Sequence, residues 1–289
     1  MNEKKILVIG GAGFIGSNLI KSLIKNKKNK VVSLDNYSTG SIKNHFENVE
    51  YFNGEAKKIN TIIKIKPHLI FHLGEYSRVE KSFEDIDIVF DNNYLSIYPV
   101  LKFANDNQSK LIYCGSSTKF DVEKGFSLSP YTWTKSINSE LIKAYSNWFN
   151  IKYAIVYFYN VYGPNELEDT YGTLIGKFKK AMREGKTLKV VLPGTQKRNF
   201  THVNDIVDGL ILISKSGEGD NFGIGCEKSY SIIEVAKMFG GNFQFLEERK
   251  GNRSDSKLVI DKTKKLGWLA KHNLPDYINE LRENDWIDN

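Results

Sequence analysis

Short apolar runs alternate with amphipathic segments along the N-terminal half of the chain. Each run has the length of a buried strand, whereas the segments between them, such as Asn92–Asn105 and Tyr131–Trp148, repeat apolar residues at helical spacing. Strands that alternate with helices are typical of a parallel sheet covered on both faces. The pattern therefore predicts an α/β fold with a doubly wound parallel sheet. The predicted strands are Ile6–Ile9, Val31–Leu34, Glu50–Phe52, Leu69–Leu73, Lys110–Tyr113 and Ala154–Tyr157.

The alternation loosens after Gly163-Pro164, and the C-terminal third is predicted to form a smaller, interleaved lobe. The expected boundaries are residues 1–163 plus about 198–228 for the larger domain, and about 164–197 plus 229–289 for the lobe. In this part of the chain the predicted helices are Leu174–Arg183, Val203–Ser214 and Ser231–Phe239, and the predicted strands are Lys189–Leu192 and Asn221–Gly225.

A glycine-rich turn links the first predicted strand to the first predicted helix. Gly10, Gly13 and Gly16 stand at the spacing GxxGxxG, and Phe14-Ile15 opens the helix. Glycines permit a tight turn and let the backbone approach a pyrophosphate, which then lies on the positive end of the helix. The turn therefore predicts a Rossmann-type dinucleotide site, with a purely structural turn as the alternative.

Asp35 supports the dinucleotide interpretation, because it ends the second predicted strand. A carboxylate at that place accepts hydrogen bonds from the adenine ribose. It also repels a 2′-phosphate, and no arginine follows it directly. The predicted cofactor is therefore NAD rather than NADP.

Tyr131 and Lys135 are the candidate catalytic pair, since they stand four residues apart and share one face of a predicted helix. A tyrosine is a weak base at its free pKa of about 10. A neighbouring ammonium favours the phenolate, so we expect Lys135 to lower the pKa of Tyr131. Ser116, at the end of a predicted central strand, offers a hydroxyl for the reacting oxygen. The alternative is that Ser116 and Ser117 only cap a turn or helix.

Composition and charge limit the class of binding partner and the cellular compartment that we expect. The net charge of +7 and a pI near 9.0 suit a small phosphorylated ligand; the charge is spread along the chain, so no nucleic-acid partner is expected. No stretch has the length and apolarity of a membrane span, and no signal-peptide pattern opens the chain. Cys114 and Cys226 stand far apart without a histidine cluster. We expect a cytoplasmic protein with no metal site and no membrane partner.

Taken together, the motifs of the chain resemble the extended short-chain dehydrogenase/reductase family, in particular its NAD-dependent nucleotide-sugar epimerases and dehydratases, such as UDP-glucose 4-epimerases. The resemblance covers nearly the whole length. The motifs that carry it are Gly10-Gly11-Ala12-Gly13-Phe14-Ile15-Gly16, Asp35-Asn36, Phe71-His72-Leu73, Asn92-Asn93, Ser116, Tyr131-x-x-x-Lys135, Tyr159-Asn160-Val161-Tyr162-Gly163-Pro164 and Arg198-Asn199-Phe200-Thr201-His202-Val203-Asn204-Asp205.

This resemblance implies a bound NAD, with Tyr131 as the acid/base, Lys135 on the nicotinamide ribose and Ser116 against the substrate hydroxyl. Arginine binds phosphate oxygens bidentately, and the resemblance implies that Asn160, Arg198 and Arg253 hold the pyrophosphate of a nucleotide sugar. Further cofactor-binding residues implied are Gly10, Gly13, Phe14, Ile15, Gly16, Asp35, Asn36, Glu55, Leu73 and Asn93. Further substrate-binding candidates are Glu75, Arg78, Ser117 and Thr173.

The residues after Ser116 narrow the reaction. Dehydratases and decarboxylases of the family carry an acid one or two positions after this serine, where this chain has Ser117 and Thr118. The resemblance therefore implies redox chemistry at one carbon and favours a nucleotide-sugar 4-epimerase that transiently oxidises sugar C4. The alternatives are a 4-dehydrogenase or 4-ketoreductase, which releases the keto sugar, and a nucleotide-binding protein without catalysis.

Glu75 departs from the family pattern, because small residues usually follow His72-Leu73. With Arg78 nearby, Glu75 is expected either to contact an unusual sugar or to form a surface salt bridge. The base of the nucleotide is open among UDP, GDP and ADP. The resemblance further implies a homodimer that pairs the helices Asn92–Asn105 and Tyr131–Trp148.

Overall fold

The computed structural model describes residues 3–120, 129–247 and 257–288. Strands β1 to β6 are Lys4–Ile9, Asn29–Asp35, Glu50–Asn53, Leu69–His72, Lys110–Ser116 and Tyr153–Phe158. Strands β7 to β13 are Val161–Tyr162, Leu188–Val191, Lys197–Asn199, Thr201–His202, Gly219–Ile224, Ser229–Ser231 and Phe243–Leu246.

The helices lie between and after these strands. Helices α1 to α5 are Phe14–Leu23, Ile59–Ile62, Ile86–Val89, Leu95–Asp106 and Pro130–Phe149. Helices α6 to α10 are Leu174–Arg183, Val203–Ser216, Ile232–Phe239, Asp261–Lys265 and Leu274–Glu283.

The central sheet is parallel throughout, in the order β3-β2-β1-β4-β5-β6-β11. The chain winds outward from β1 first towards β3 and then towards β11, so the sheet is doubly wound and the predicted fold class is confirmed. In such a sheet the strand order reverses between β1 and β4, and ligands bind beyond the carboxyl ends of the strands at that point.

Successive side chains of each strand point to opposite faces of the sheet, and each face has its own core. Leu7 of β1 packs with Ile97 and Leu101 of α4 on one face. Val8 packs with Leu19 of α1 and Leu210 of α7 on the other. Both cores are fully buried, which holds the strand ends in fixed positions.

A third core lies outside the sheet and belongs to the C-terminal part of the chain. It brings α6, α8 and α10 together with β8, and it also includes Tyr162 and Phe200. Three small strand pairs support this part: β7 with β10, β8 with β13, and the antiparallel β9 with β12. The return of β11 to the main sheet interleaves this core with the first two.

The predicted strands are present with shifts of up to three residues at their ends. The helix Leu174–Arg183 has the predicted bounds, and the helix predicted at Val203–Ser214 extends to Ser216. One difference precedes α4, where Phe90–Tyr94 forms a π-helical segment instead of the predicted regular helix from Asn92. Helices α9 and α10 and the pair of β9 with β12 were not predicted from the sequence pattern.

Candidate active site

A cleft of about 470 Å³ opens at the carboxyl ends of the central strands. The glycine turn after β1 lines one side, and Asp35 and Leu73 line it where β2 and β4 end. Ser116, Tyr131 and Lys135 line the middle. The cleft therefore combines the predicted dinucleotide and catalytic residues in one place, at the reversal of strand order.

Close backbone packing shapes the glycine turn. Gly10 has φ +83°, and a Cβ there would lie 2.6 Å from the backbone of Gly74. A Cβ on Gly16 would lie 2.0 Å from the carbonyl oxygen of Gly10. The first N–H groups of a helix have no intrahelical partner, and Gly13 supplies no side-chain cap for those of α1. These N–H groups therefore remain available to a ligand. This cradle fits the pyrophosphate of a dinucleotide.

Asp35 is buried at the end of β2 and holds the turn in place. Its Oδ2 accepts a hydrogen bond from the Ala12 N–H at 2.9 Å, and its Oδ1 accepts one from the Tyr37 N–H at 2.8 Å. Burial raises the pKa of Asp35, and these two hydrogen bonds oppose the rise. Each carboxylate oxygen keeps a second lone pair, so the placement fits the predicted contact with a ribose.

Asn36 and Glu55 line the cleft beside Asp35. Asn36 donates from Nδ2 to Oδ1 of Asn92 at 3.3 Å. Glu55 forms ion pairs with Lys57 at 3.5 Å and Lys58 at 3.3 Å. Polar groups therefore border the end of the cleft where we predict the adenosine half of the cofactor.

The start of α5 positions the catalytic candidates. Ser129 caps the helix, its hydroxyl accepting from the Thr132 N–H, and Pro130 occupies the first turn. Tyr131 and Lys135 follow on consecutive turns of the same face. Ser116 ends β5 opposite them, and its hydroxyl hydrogen-bonds that of Thr118 at 2.8 Å. The three predicted catalytic residues thus share the cleft.

The pKa of Tyr131 differs from the expectation. Burial raises it, whereas the ammonium of Lys135 and the hydroxyl of Ser116 lower it, and the net shift is upward. The predicted effect of Lys135 has the right sign, but the predicted net lowering is wrong, because desolvation of the phenolate is the larger influence.

Glu75 lines the cleft but forms no surface salt bridge, because its carboxylate is buried. Its side chain is 1% exposed, and Oε2 lies 2.6 Å from Nζ of Lys135. Oε2 also accepts from the Tyr113 hydroxyl at 2.8 Å, and Oε1 accepts from Nδ2 of Asn138 at 3.1 Å. The expectation of a surface ion pair is therefore wrong, while the expected sugar contact stays a prediction.

Most other predicted residues line the cleft, whereas Asn93 and Arg198 do not. Asn93 is fully buried, and its amide hydrogen-bonds the backbone N–H and C=O of Tyr76, so it holds the loop after β4. Arg198 is half-buried in β9 and lies outside the lining. Arg253 falls outside the described residues. The remaining predicted residues in the lining are Gly10, Gly13, Phe14, Ile15, Gly16, Arg78, Ser117, Asn160 and Thr173.

Sequence reasoning missed the side chains that surround Glu75 and Arg78. Asn138 lies three residues after Lys135 and seven after Tyr131, on the same helix face, and this spacing could have indicated it. Tyr171 lies in the cleft and accepts the Nε–H of Arg78 through its carbonyl oxygen. No sequence signal indicated this contact, because the two residues are far apart in the chain.

The described ranges lack a membrane-spanning helix and a metal-binding cluster. No helix there has the length and apolarity to cross a membrane. Those residues also contain no cluster of three or more histidine, cysteine, aspartate or glutamate side chains arranged to hold a metal ion.

Comparison with known proteins gives matches along the whole chain. The model of the NAD-dependent epimerase/dehydratase family matches residues 6–225. A putative UDP-glucose 4-epimerase of Methanocaldococcus jannaschii is 29% identical, with 98% of each chain covered. UDP-glucose 4-epimerase of Lactobacillus helveticus is 28% identical over 95% of this chain and 94% of that protein. The solved structure of UDP-glucose 4-epimerase from Thermotoga maritima has a TM-score of 0.88 at 23% identity, covering 97% of this chain and 99% of that one.

Proposed function

The chain belongs to the NAD-dependent epimerase/dehydratase family, whose members are enzymes that use NAD, and we propose that it is a nucleotide-sugar 4-epimerase acting by transient oxidation at sugar C4. The observation that carries this proposal is the meeting of Ser116, Tyr131 and Lys135 in one cleft with the glycine turn. A phenol, an ammonium and a hydroxyl gathered beside this turn favour an enzyme over a protein that only binds nucleotides.

The same cleft argues against elimination of water. Ser117 and Thr118 occupy the positions where family dehydratases carry an acid, and the Thr118 hydroxyl bonds Ser116. Glu75 is the described carboxylate closest to the catalytic pair, and both of its oxygens are already bonded to protein groups. The proposal is therefore simple redox chemistry at one carbon.

Bound NAD supplies the acceptor, and then the donor, of a hydride. In the proposed reaction Tyr131 takes the proton of the C4 hydroxyl and later returns it. The Ser116 hydroxyl would hydrogen-bond the same oxygen, and the Lys135 ammonium would hold a ribose hydroxyl of the cofactor. Asn160, Thr173 and Arg78 line the side of the cleft where the proposal places the nucleotide sugar.

UDP-linked sugars are the first substrates to test, because both curated relatives described above are named for UDP-glucose. The purified protein with NAD is incubated with UDP-glucose, and the products are separated by chromatography. We expect UDP-galactose to form without accumulation of reduced cofactor. GDP- and ADP-linked sugars follow if UDP-sugars do not react.

Deuterium at C4 of the sugar tests the transient oxidation directly. If the hydride leaves C4 and returns to the opposite face within one cleft, the epimeric product keeps the deuterium. A keto sugar with reduced cofactor would instead identify a 4-dehydrogenase or ketoreductase. Unchanged sugars with every nucleotide would contradict an enzymatic function in this class.

A further inference from the structure

A carboxylate lies directly beneath the catalytic lysine. Glu75 and Lys135 form an ion pair of 2.6 Å, with side chains only 1% and 6% exposed. Glu75 lies in the loop after β4. The side chain of Asn93 holds this loop through two hydrogen bonds to the backbone of Tyr76. The pair therefore belongs to the floor of the cleft and is shielded from water.

Hydrogen-bond counting shows how the pair orients Lys135. An ammonium has three N–H donors. One is directed to Oε2 of Glu75, and a second donates to the carbonyl oxygen of Cys114 at 2.6 Å. Both acceptors lie on the protein side, which leaves one N–H for a ligand in the cleft.

The other groups around the pair are uncharged near neutral pH. Burial lowers the pKa of His72 to about 4, so this ring is neutral although it lies 3.5 Å from Glu75. Burial raises the pKa of the Cys114 thiol to about 11 and also raises that of Tyr113. Asn138 completes the set as a neutral donor to Glu75.

Tyr131 therefore faces a lysine whose charge is matched by a carboxylate. The groups that act on its phenol are Lys135, Ser116, Cys114 and Glu75, together with Arg78 across the cleft. An ammonium alone favours the phenolate, whereas a carboxylate behind it opposes the phenolate.

We propose that Glu75 is a positioning residue that fixes the ammonium of Lys135 for its ligand and sets the pH range in which the Tyr131–Lys135 pair exchanges protons. Only the kinetic test of this inference rests on the proposed function. A structural role alone is the competing explanation, since a buried ion pair need not affect catalysis.

Glu75→Gln tests the inference, because it keeps the shape of the side chain and removes one negative charge. Removing a negative charge lowers the pKa of every nearby acid, so both titration steps of the coupled Tyr131–Lys135 pair fall. We expect the whole pH profile of kcat to move to lower pH by about one unit. Glu75→Ala should move it in the same direction if the glutamine variant does not fold, and Glu75→Asp should keep the original profile.

Asp220→Asn is the matched control. Asp220 also accepts from a lysine, Lys119, and from a tyrosine hydroxyl, that of Tyr157 at 2.6 Å. This second triad lies outside the lining of the cleft. Its disruption should lower the stability of the fold and leave the pH profile of kcat in place.

A second readout does not depend on the sugar. Protein labelled with ¹³C at tyrosine Cζ is titrated with NAD present, and the Tyr131 signal is assigned by its absence in Tyr131→Phe. The inference predicts that this signal titrates at lower pH in Glu75→Gln than in the wild type. An unchanged titration and an unchanged kcat profile in the folded variant would overturn it. If no sugar reacts, the proposed function is wrong. The NMR titration still tests the role of Glu75 in that case, because it needs no sugar.

Discussion

Glu75 and Glu166 are both buried acids, and their surroundings differ. Glu75 has Lys135, Tyr113 and Asn138 around it. The carboxyl group of Glu166 instead faces the backbone of Gly176 and Gly163, with Lys179 as the main cation acting on it. Burial raises the pKa of Glu166 to about 8, although the ammonium of Lys179 lowers it. Glu166 is therefore mostly protonated at neutral pH.

Glu166 should make the stability of the protein depend on pH. Below its ordinary pKa of 4.5, the folded and unfolded chains both carry the proton. As pH rises from there to about 8, the unfolded chain ionises first, so the folded state loses stability, by up to a few kcal/mol. Glu166→Gln should remove this loss: we expect a higher Tm than the wild type at pH 8.5 and a similar Tm at pH 5. An equal difference at both pH values would contradict this assignment.

Tyr131→Phe should lower kcat by about 10²- to 10⁴-fold, because it removes the group that exchanges the proton with the sugar. NAD affinity, measured by fluorescence titration, should stay close to that of the wild type, since the phenol acts on the substrate. Turnover near the wild-type rate in this variant would exclude Tyr131 as the acid/base.

The catalytic residues could be predicted from the sequence because their spacing is local. Tyr131 and Lys135 lie one turn apart on one helix, and Ser116 ends a strand that has an apolar pattern. The contact of Glu75 with Lys135 depends on a loop that Asn93 holds from another element. No local pattern encodes that contact, so neither of the two predictions for Glu75, a sugar contact or a surface salt bridge, included it.

At the scale of elements, the glycine turn and α1 form one unit whose backbone packing leaves no room for a side chain at Gly10 or Gly16. Gly16 faces the carbonyl oxygen of Gly10, and Gly10 faces Gly74 of the loop after β4. The turn therefore fixes the distance between the cradle and the loop that carries Glu75. A shift of the glycine turn therefore also moves the loop that carries Glu75.

Gly16→Ala should weaken NAD binding about tenfold or more, because its Cβ would lie 2.0 Å from a backbone oxygen and force the turn to open. Calorimetric titration with NAD measures this loss. Gly185→Ala is the control: Gly185 has φ +64° and no atom within 4 Å of an added Cβ. It should lower stability by about 1 kcal/mol and leave NAD affinity unchanged. Unaltered NAD affinity in Gly16→Ala would contradict the assigned cradle.

Regular elements were predicted well where a full strand or helix repeats its pattern. The π-helical segment Phe90–Tyr94 was not, because its altered repeat depends on the inward placement of Asn93. The antiparallel pair of β9 and β12 has three residues in each strand, too few to show an alternating pattern. Such short elements depend on tertiary contacts for their stability.

At the scale of the molecule, α4 and α5 expose large apolar side chains on neighbouring surfaces. Leu95 and Tyr98 of α4 are 54% and 58% exposed, and Trp148 and Phe149 of α5 are 64% and 51% exposed. Apolar groups gathered in this way are typical of a protein–protein interface. They support the expected homodimer through these two helices.

Tyr98→Glu combined with Trp148→Glu should convert this dimer to a monomer, because two carboxylates would be buried without partners at the interface. Sedimentation velocity of the wild type and the double variant measures the change. A wild type that sediments as a monomer at micromolar concentration, or a double variant that remains dimeric, would exclude this interface.

The return of β11 to the central sheet has a consequence for how this molecule can diversify. Residues 162–200 enter the third core, β11 goes back to the sheet, and α8 and α10 enter the third core again. Neither half is a contiguous stretch that recombination could exchange as a cassette. An exchange of the third core would therefore have to carry β11 along with both of the segments that flank it.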